Sequence, residues 1–545
     1  MKSSLRNARI LHAIADTFVK AVQQFREHPT LRYTWMRFLP PLRGSFVDGF
    51  WLELMKMMKG KLEVMSVLQA RGETSPRHLI KSLRRCSDDF LDEDGDPLFG
   101  DLDPPLYISD NYKSSDLDAL NEYGLKYLQP DEILSLLERD LALGAESRMM
   151  SDETDDGWHE QVATVLHSII SRPESHLQKR LCSLPILPVE GNKWAAPDQG
   201  DVYFQKCAHT DLQLPGGLNL TILSNGEDPS STRGKLFLKL GVISATVKTV
   251  RESIFRRQAV GGRPIRDWAG QLQFLYCTHH LVDDIDKAKH PSKVVGHDRL
   301  ACNPRTKDVY FPEEEPYSAH KLLHGELPET EGINLTFLHS AYTWDAPSKP
   351  EGTTTTWREW LYSHVGIRRY VKLDKSTSGE PDELSDELCF VAKHYPDKLM
   401  GFLRYHWQEG RSRIERSPGW IKKVRQLRVP CEGGSLRPLS DTFLHLPDLQ
   451  DICSRFLREG EHFPFIKLDE PVKRGSYLRN WAFLDNVLGV GVKEDLTFYC
   501  HILATIRDTQ QRQVQEPKRI MDIYTAMYGQ YTLSHDKGAA EDELR

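Results

Sequence analysis

The apolar residues of this chain recur at two different spacings, and the alternation between these spacings predicts the elements. A stripe at helical spacing occupies the N-terminus and predicts a helix that ends before Pro29. Its members are Ile10, Leu11, Ile14, Phe18, Val22 and Phe25. Residues 130–143 and 158–170 show the same spacing, and Pro130 with two acids behind it is a favoured helix start. Short runs elsewhere alternate apolar with polar residues, as half-buried strands do, so we expect helices interspersed with short strands.

One strand-like run occurs twice. The segment "LNLTIL" begins at Leu218 and "INLTFL" begins at Ile333, and "DVYF" precedes both. In the first segment, Leu218, Leu220 and Ile222 are predicted to face one side of a strand, with the asparagine and the threonine on the other. Taken literally, Asn219 and Asn334 are also glycosylation acceptors. We interpret both segments as one strand position in a repeated unit.

Four glycines mark the ends of the repeated units. They are Gly124, Gly241, Gly366 and Gly489, separated by 117, 125 and 123 residues. Each follows an apolar helical segment, and a glycine in the left-handed conformation commonly ends a helix. Before Gly366, Thr356 and Glu359 form a capping box, and Trp357, Trp360 and Leu361 are predicted to face the core. These positions predict four related α+β units.

The predicted fold class is therefore α+β: tandem small-sheet-plus-helix units joined by amphipathic helices in an elongated multi-domain arrangement. A chain of 545 residues exceeds the size of a single core. The boundaries divide it into a helical N-terminal region, a degenerate first unit with linking helices, three further units, and a disordered tail. These segments are residues 1–88, 89–175, 176–290, 291–415, 416–535 and 536–545.

Composition predicts a soluble protein of a reducing compartment, either cytoplasm or nucleus. The N-terminus lacks a signal-peptide core, and no stretch approaches the roughly 20 apolar residues that cross a bilayer. The nine cysteines are scattered and include no C-x-x-C pair, which argues against a disulfide framework and against glycosylation of the asparagines. The formal net charge of −7 does not indicate a general polyanion binder.

A local basic stretch covers residues 411–428 and includes one aromatic residue, Trp420. A solvated basic face is the favoured interpretation, because no recognisable nucleic-acid motif accompanies the charges. A patch for nucleic acid or for an acidic partner is the alternative.

Several short motifs resemble catalytic or metal-binding patterns, but each fits a structural interpretation better. "DEDGDP", residues 92–97, lacks the spacing of a calcium loop and predicts an acidic turn. The "THHLVDD" motif, the histidine of "WHEQVATVLH" and the turn-like "GGSLRPLSD" also fail the known patterns; their residues are His279, His280, Asp283, Asp284, His159 and Gly433. P-loop, Rossmann and Gly-x-Ser-x-Gly motifs are absent from the sequence. We therefore predict no catalytic, cofactor-binding or metal-binding residue, no cofactor and no small-molecule ligand.

The order of these motifs resembles a known family. The run "LPILPVEGNKW", "GDVYF", "LNLTIL", "LGV", "KDVYF", "INLTFL" and "WREWLYSHVGI" is similar to sacsin-type and NO VEIN-type large proteins, especially those of fungi. The similar part extends from about Ile10 to Gly491 and corresponds to the region after the Hsp90-like ATP-binding domain. The family's Glu-x-x-x-Asn, Asp-x-Gly-x-Gly and glycine-rich lid are not found here, so the resemblance implies a member lacking its N-terminal part or a truncated gene model.

Two functions are consistent with these motifs and with the resemblance. The first is a non-catalytic protein-interaction or chaperone-associated scaffold with protein partners. The alternative is a fragment or subunit of an Hsp90-like, ATP-dependent machine whose ATPase domain lies upstream or on another chain.

Overall fold

The structure is a computed structural model, and it has the predicted α+β class, with many helices and small separate sheets. It describes residues 2–40, 49–100, 106–151, 153–191, 193–224, 227–257, 264–289, 291, 293–375, 383–468, 481–509 and 517–533. The chain forms two compact units: Met1–Leu214 with Leu218–Ser253, and Pro215–Gly217 with Ile254–Arg545. The predicted tail, 536–545, lies outside the described residues.

The described strands are short. They are β1 Ser66–Leu68, β2 His78–Leu79, β3 Leu83–Arg85, β4 Leu106–Tyr107, β5 Lys126–Tyr127, β6 Leu187–Val189, β7 Lys193–Ala195, β8 Val202–Tyr203, β9 Thr221–Ile222, β10 Val294–Val295, β11 Ala301–Cys302, β12 Val309–Tyr310, β13 Thr336–Phe337, β14 Arg428–Pro430 and β15 Leu436–Pro438.

The described α-helices are more numerous than the strands. They are α1 Lys2–Glu27, α2 Gly49–Leu62, α3 Ser114–Glu122, α4 Pro130–Ala142, α5 Asp156–Ile170, α6 Ser175–Cys182, α7 Thr232–Lys239, α8 Val247–Arg257, α9 Ile265–Cys277, α10 Asp284–Lys287, α11 Ala319–Leu323, α12 Glu326–Thr330, α13 Ala341–Trp344, α14 Trp357–Trp360, α15 Asp386–His394, α16 Leu399–His406, α17 Arg411–Ile414, α18 Pro418–Arg425, α19 Pro447–Phe456, α20 Ala482–Asn486, α21 Leu496–Thr509 and α22 Pro517–Leu533. A π-helical turn, Leu361–Val365, continues α14.

Shorter 3-10 turns lie mostly beside the strands. They are Leu31–Tyr33, Trp35–Phe38, Ile80–Ser82, Asp88–Phe90, Gly144–Glu146, Pro197–Gln199, His279–Leu281, Glu432–Gly434 and Leu439–Asp441.

One order of parallel and antiparallel strands occurs four times and defines a repeat. The clearest copy is the second along the chain, residues 187–243, here called repeat two. The antiparallel hairpin β6–β7 comes first, and Val189 of β6 bridges Leu223, just after β9. Strand β9 then pairs in parallel with β8, and Tyr203 of β8 bridges Ile243 in parallel. The resulting order is β7, β6, β9, β8 and Ile243, which is two residues after Gly241, the glycine that ends α7.

The same order recurs in repeat one (residues 66–127), repeat three (294–368) and repeat four (428–491). The hairpins β1–β2, β10–β11 and β14–β15 correspond to β6–β7. The antiparallel bridges that replace Val189–Leu223 are Ala70–Ile108, Gly296–Leu338 and Cys431–Ile466. The parallel core is β4–β3–β5 in repeat one, β13–β12–Arg368 in repeat three, and Phe465–Phe443–Gly491 in repeat four. Four copies of one sheet therefore confirm the predicted α+β repeat.

The two Asn-Leu-Thr segments occupy one position, as predicted. In repeat two, Val202 faces Thr221 across the parallel pair, and in repeat three Val309 faces Thr336 in the same register. The apolar Leu218 and Ile222 are buried while Thr221 is exposed. Thr336 departs from this alternation because it is buried.

The four glycines end their helices in the left-handed region, with φ of 112° at Gly124, 97° at Gly241, 92° at Gly366 and 71° at Gly489. The residue after each glycine donates its N–H group back into the helix. These bonds are Leu125 to Leu120 at 3.0 Å, Val242 to Phe237 at 2.9 Å, Ile367 to Leu361 at 3.1 Å and Val490 to Leu484 at 2.9 Å. Each glycine therefore turns the chain from the helix into the outer strand of the sheet.

The structure corrects two details at the N-terminus. The hairpin and central strand of repeat one occupy residues 66–85, so the predicted boundary at residue 88 falls inside that repeat.

Helix α1 forms as predicted, but it packs against α2 through the face that carries Leu11 and Val22, both buried. Ile10 and Ile14, predicted to belong to the buried stripe, are exposed. The spacing of apolar residues therefore predicted the helix, but it did not predict which face of the helix packs against α2.

The apolar cores show that repeats pair within each compact unit. Repeats one and two share a core that includes Tyr107 and Leu240 and is completed by helices α4, α5 and α6. Repeats three and four share another, which includes Tyr310 from the former and Leu484 from the latter. Helices α15, α16 and α18 lie in that second shared core and hold repeat three in place.

Candidate interaction site in repeat three

A cavity of about 630 Å³ opens in repeat three. It lies between the segment after β12, the end of α13 and the first turns of α14. The lining residues are Phe311, Pro312, Glu313, Glu314, Glu315, Thr343, Ala346, Trp357, Arg358 and Leu361. Its volume falls in the range typical of binding cavities, and its lining combines apolar walls with a few charged groups. We refer to it as the repeat-three cavity.

The first wall is the chain that leaves the central strand of the sheet. The N–H group of Phe311 donates to the carbonyl of Arg368 at 2.9 Å, which continues the parallel pairing past β12. The hydroxyl group of Ser318 donates to the carbonyl of Glu313 at 2.7 Å and also caps α11. These two bonds hold the segment between strand and helix and place the Glu313 side chain inward.

The second wall is the helical start that the capping box predicted. Thr356 and Glu359 form both bonds of that box and begin α14. The indole N–H of Trp357 donates to the carbonyl of Tyr342 at 2.8 Å, which ties α14 to α13. The rings of Trp357 and Trp360 stack with centroids 5.6 Å apart. The wall is therefore rigid, and the left-handed Gly366 ends the helical stretch as predicted.

A buried carboxylate joins the two walls. The side chain of Glu313 is only 4% exposed and contacts the guanidinium group of Arg358, while Arg369 Nε lies 3.3 Å from Oε1. The phenol of Tyr405 donates to Oε2, and burial raises the pKa of Tyr405, which keeps this donor protonated. Oε1 accepts no well-aligned hydrogen bond from the described residues. The Arg358 guanidinium also lies 5.0 Å from the Phe311 ring centroid.

A neutral histidine supports this cluster from behind. His406 is fully buried, its Nδ1 accepts from the N–H of Val371 at 3.0 Å, and its Nε2 lies 3.0 Å from the carbonyl of Tyr317. Burial lowers the pKa of His406 to about 3, so the ring is neutral at pH 7 and donates from Nε2. Its role is to fix the backbone beside the cavity.

The rim of the cavity carries two loosely paired carboxylates. Glu314 lies 3.4 Å from His320 Nδ1 and 3.8 Å from Lys321 Nζ, and Glu315 lies 3.9 Å from Arg369. Burial lowers the pKa of His320, so its ring is neutral at pH 7. Ion pairs as long as the other two hold their partners weakly at a solvated surface. Trp344 lies between the lining residues Thr343 and Ala346 in the chain but is not itself a lining residue, and it is 82% exposed.

The basic stretch 411–428 folds as two short helices, α17 and α18, and the start of β14. Trp420 is fully buried and donates its indole N–H to the carbonyl of Leu373 at 3.0 Å, so its ring is not available to stack on a base. Arg411 pairs with Glu415 at 2.8 Å and Arg413 with Asp374 at 2.5 Å. These contacts favour the solvated basic face over the nucleic-acid alternative.

The remaining motifs occupy structural positions. Residues 92–97 form a turn closed by the Leu91–Pro97 bridge, and Gly433 has a φ of 79° in the turn between β14 and β15. His159 is buried on α5, and burial lowers its pKa to about 4. His279 and His280 lie in one 3-10 turn and Asp284 begins α10, one residue after Asp283. Across the described ranges, no group of three or more His, Cys, Asp or Glu side chains is arranged to hold a metal ion.

Sequence reasoning missed the repeat-three cavity. One signal for it exists where two repeats diverge after their shared "DVYF" segment: repeat two continues with Gln205 and Lys206, whereas repeat three continues with Pro312 and Glu313. A proline and three acids at this point of one repeat mark a local departure from the common sheet.

No family model, curated protein or solved structure matched the chain. Within the part of the chain that the structure describes, every helix is too short or too polar to span a lipid bilayer.

Proposed function

We propose that the chain is a non-catalytic protein-interaction scaffold of the chaperone-associated kind, and that the repeat-three cavity receives an extended segment of a partner protein. The observation that carries this proposal is an apolar-walled cavity with an 82% exposed indole, Trp344, flanked in the chain by two of the lining residues. Exposed tryptophans are the kind of residue that dominates the energy of a protein interface once a partner covers them. The resemblance to the repeat region of sacsin-type and NO VEIN-type proteins points the same way.

A comparison of two repeats supports a functional origin for the cavity. An arginine stands eight residues before the helix-ending glycine in both: Arg233 in repeat two and Arg358 in repeat three. Arg233 pairs with Glu227 at 2.9 Å and its side chain is 7% exposed, whereas the side chain of Arg358 is 51% exposed. The shared sheet of repeat two therefore forms with the equivalent arginine buried. The exposure of Arg358 in repeat three is consequently not required by the fold.

The experiment mixes the full chain with chemically denatured luciferase, which serves as the model partner. Aggregation of the luciferase is measured by light scattering. The wild-type chain should slow aggregation in a dose-dependent way, and Trp344→Ala should lose most of this effect. Tyr528→Ala, which removes another exposed aromatic side chain outside the cavity, is the matched control and should retain it. Unchanged aggregation with a molar excess of wild-type chain, or equal loss in both variants, would contradict the proposal.

A further inference from the structure

We infer that the segment received by the repeat-three cavity carries an apolar side chain followed directly by a lysine or an arginine. This inference rests on the proposed function and adds the chemistry of the partner. It combines two features of the cavity, its apolar walls and the charge of its rim.

The walls select an apolar side chain. Phe311 and Pro312 form one wall, and Trp357 and Leu361 form the other. The indole N–H of Trp357 is already bonded to Tyr342, so this wall offers ring surface and not a hydrogen-bond donor. An apolar group entering from water is stabilised by removal of its surface from solvent, whereas a polar group would lose its hydration without a partner there.

The rim selects a cation. Three of the four ionisable residues that line the cavity are glutamates. The fourth, Arg358, is engaged by the buried Glu313, which also has Arg369 beside it and the Tyr405 phenol as a donor. Glu314 and Glu315 thus remain as carboxylates whose cationic partners among the described residues, Lys321 and Arg369, lie 3.8 and 3.9 Å away at a solvated edge. A ligand ammonium or guanidinium group can therefore pair with a carboxylate at this edge.

The charge of this rim is particular to repeat three. At the positions of the rim residues Glu314 and Glu315, repeat two carries the uncharged Cys207 and Ala208. The acidic rim is therefore an addition to the shared sheet. Complementarity of charge at an interface governs which partner is accepted.

The test uses the fluorescein-labelled peptide Gly-Ser-Gly-Phe-Lys-Gly-Ser-Gly and the full chain, with fluorescence anisotropy as the measurement. Replacing the phenylalanine of the peptide by serine, or its lysine by glutamate, should each raise the dissociation constant by about tenfold. The double variant Glu314→Gln with Glu315→Gln should raise it by about threefold, the effect of a solvated ion pair. Both side chains lie at the solvated edge of the cavity, so the fold should be retained, as thermal unfolding can confirm.

The matched control is the double variant Glu326→Gln with Glu329→Gln, which removes the same charge from exposed positions on α12, outside the cavity. It should bind the Phe-Lys peptide like the wild type. Equal binding of the lysine and glutamate peptides, or an equal effect of both double variants, would overturn the inference while leaving the proposed function standing. No binding of any peptide would overturn the inference, and the aggregation assay would then decide the proposed function separately.

Discussion

Replacement of the helix-ending glycines tests the repeat most directly. At Gly366 the φ is +92°, and a new Cβ atom would meet only Pro304 at 3.8 Å, an ordinary contact. The cost of Gly366→Ala is therefore the left-handed backbone alone, about 1–2 kcal/mol. Gly366→Val should cost more, because the β-branched side chain is additionally restricted.

At Gly489 a second cost arises. The φ is +71°, and a Cβ atom would lie 3.2 Å from the guanidinium carbon of Arg425. That guanidinium group donates to the carbonyl of Val487 at 2.9 Å, so its displacement would remove a hydrogen bond as well. We expect Gly489→Val to be more destabilising than Gly366→Val, by about 0.5–1.5 kcal/mol for the lost bond.

The assay is urea unfolding monitored by circular dichroism. The control is a glycine substitution that should change the free energy of unfolding in the opposite direction. Gly529 lies inside helix α22 with open space around its Cα atom, and its φ is outside the left-handed region. Gly529→Ala should therefore stabilise the second compact unit by about 0.5–1 kcal/mol. A fall in stability for Gly529→Ala equal to that for Gly366→Ala would refute the conformational argument. Full stability of Gly366→Val combined with lost peptide binding would show instead that this glycine serves the site.

Two further predictions concern nucleotide and pH. The chain should not bind ATP, because the sequence offers no phosphate-binding loop; micromolar affinity in calorimetry with magnesium would contradict this and favour the ATP-dependent alternative. The second concerns His406, whose folded pKa of about 3 lies below that of an unfolded histidine, about 6.5. The folded state favours the neutral form of His406, so its contribution to the free energy of unfolding is fully present above pH 6.5 and is lost progressively as the pH falls toward 3. In His406→Gln the free energy of unfolding should depend less on pH between these values, and an unchanged slope would contradict the assignment.

Much of the repeat could be predicted from the sequence because its signals are local. A left-handed glycine, a capping box and an alternating run each depend on residues within one or two turns of the chain. Gly366, the Thr356 cap and the two Asn-Leu-Thr segments therefore lie where expected. The hairpin of repeat one was not predicted, since its β1 and β2 are short and carry none of the shared motifs.

Only the tertiary structure decided which surfaces meet. The exposure of Ile10 and the burial of Leu11 on α1 depend on where α2 packs, and helical spacing contains no such information. The cavity likewise depends on Glu313 being surrounded by Arg358, Arg369 and Tyr405, the last of which is 92 residues distant in the chain. A carboxylate in the sequence is exposed by default, and it becomes part of a buried cluster only when folding brings its partners to it, because an uncompensated buried charge would be too costly.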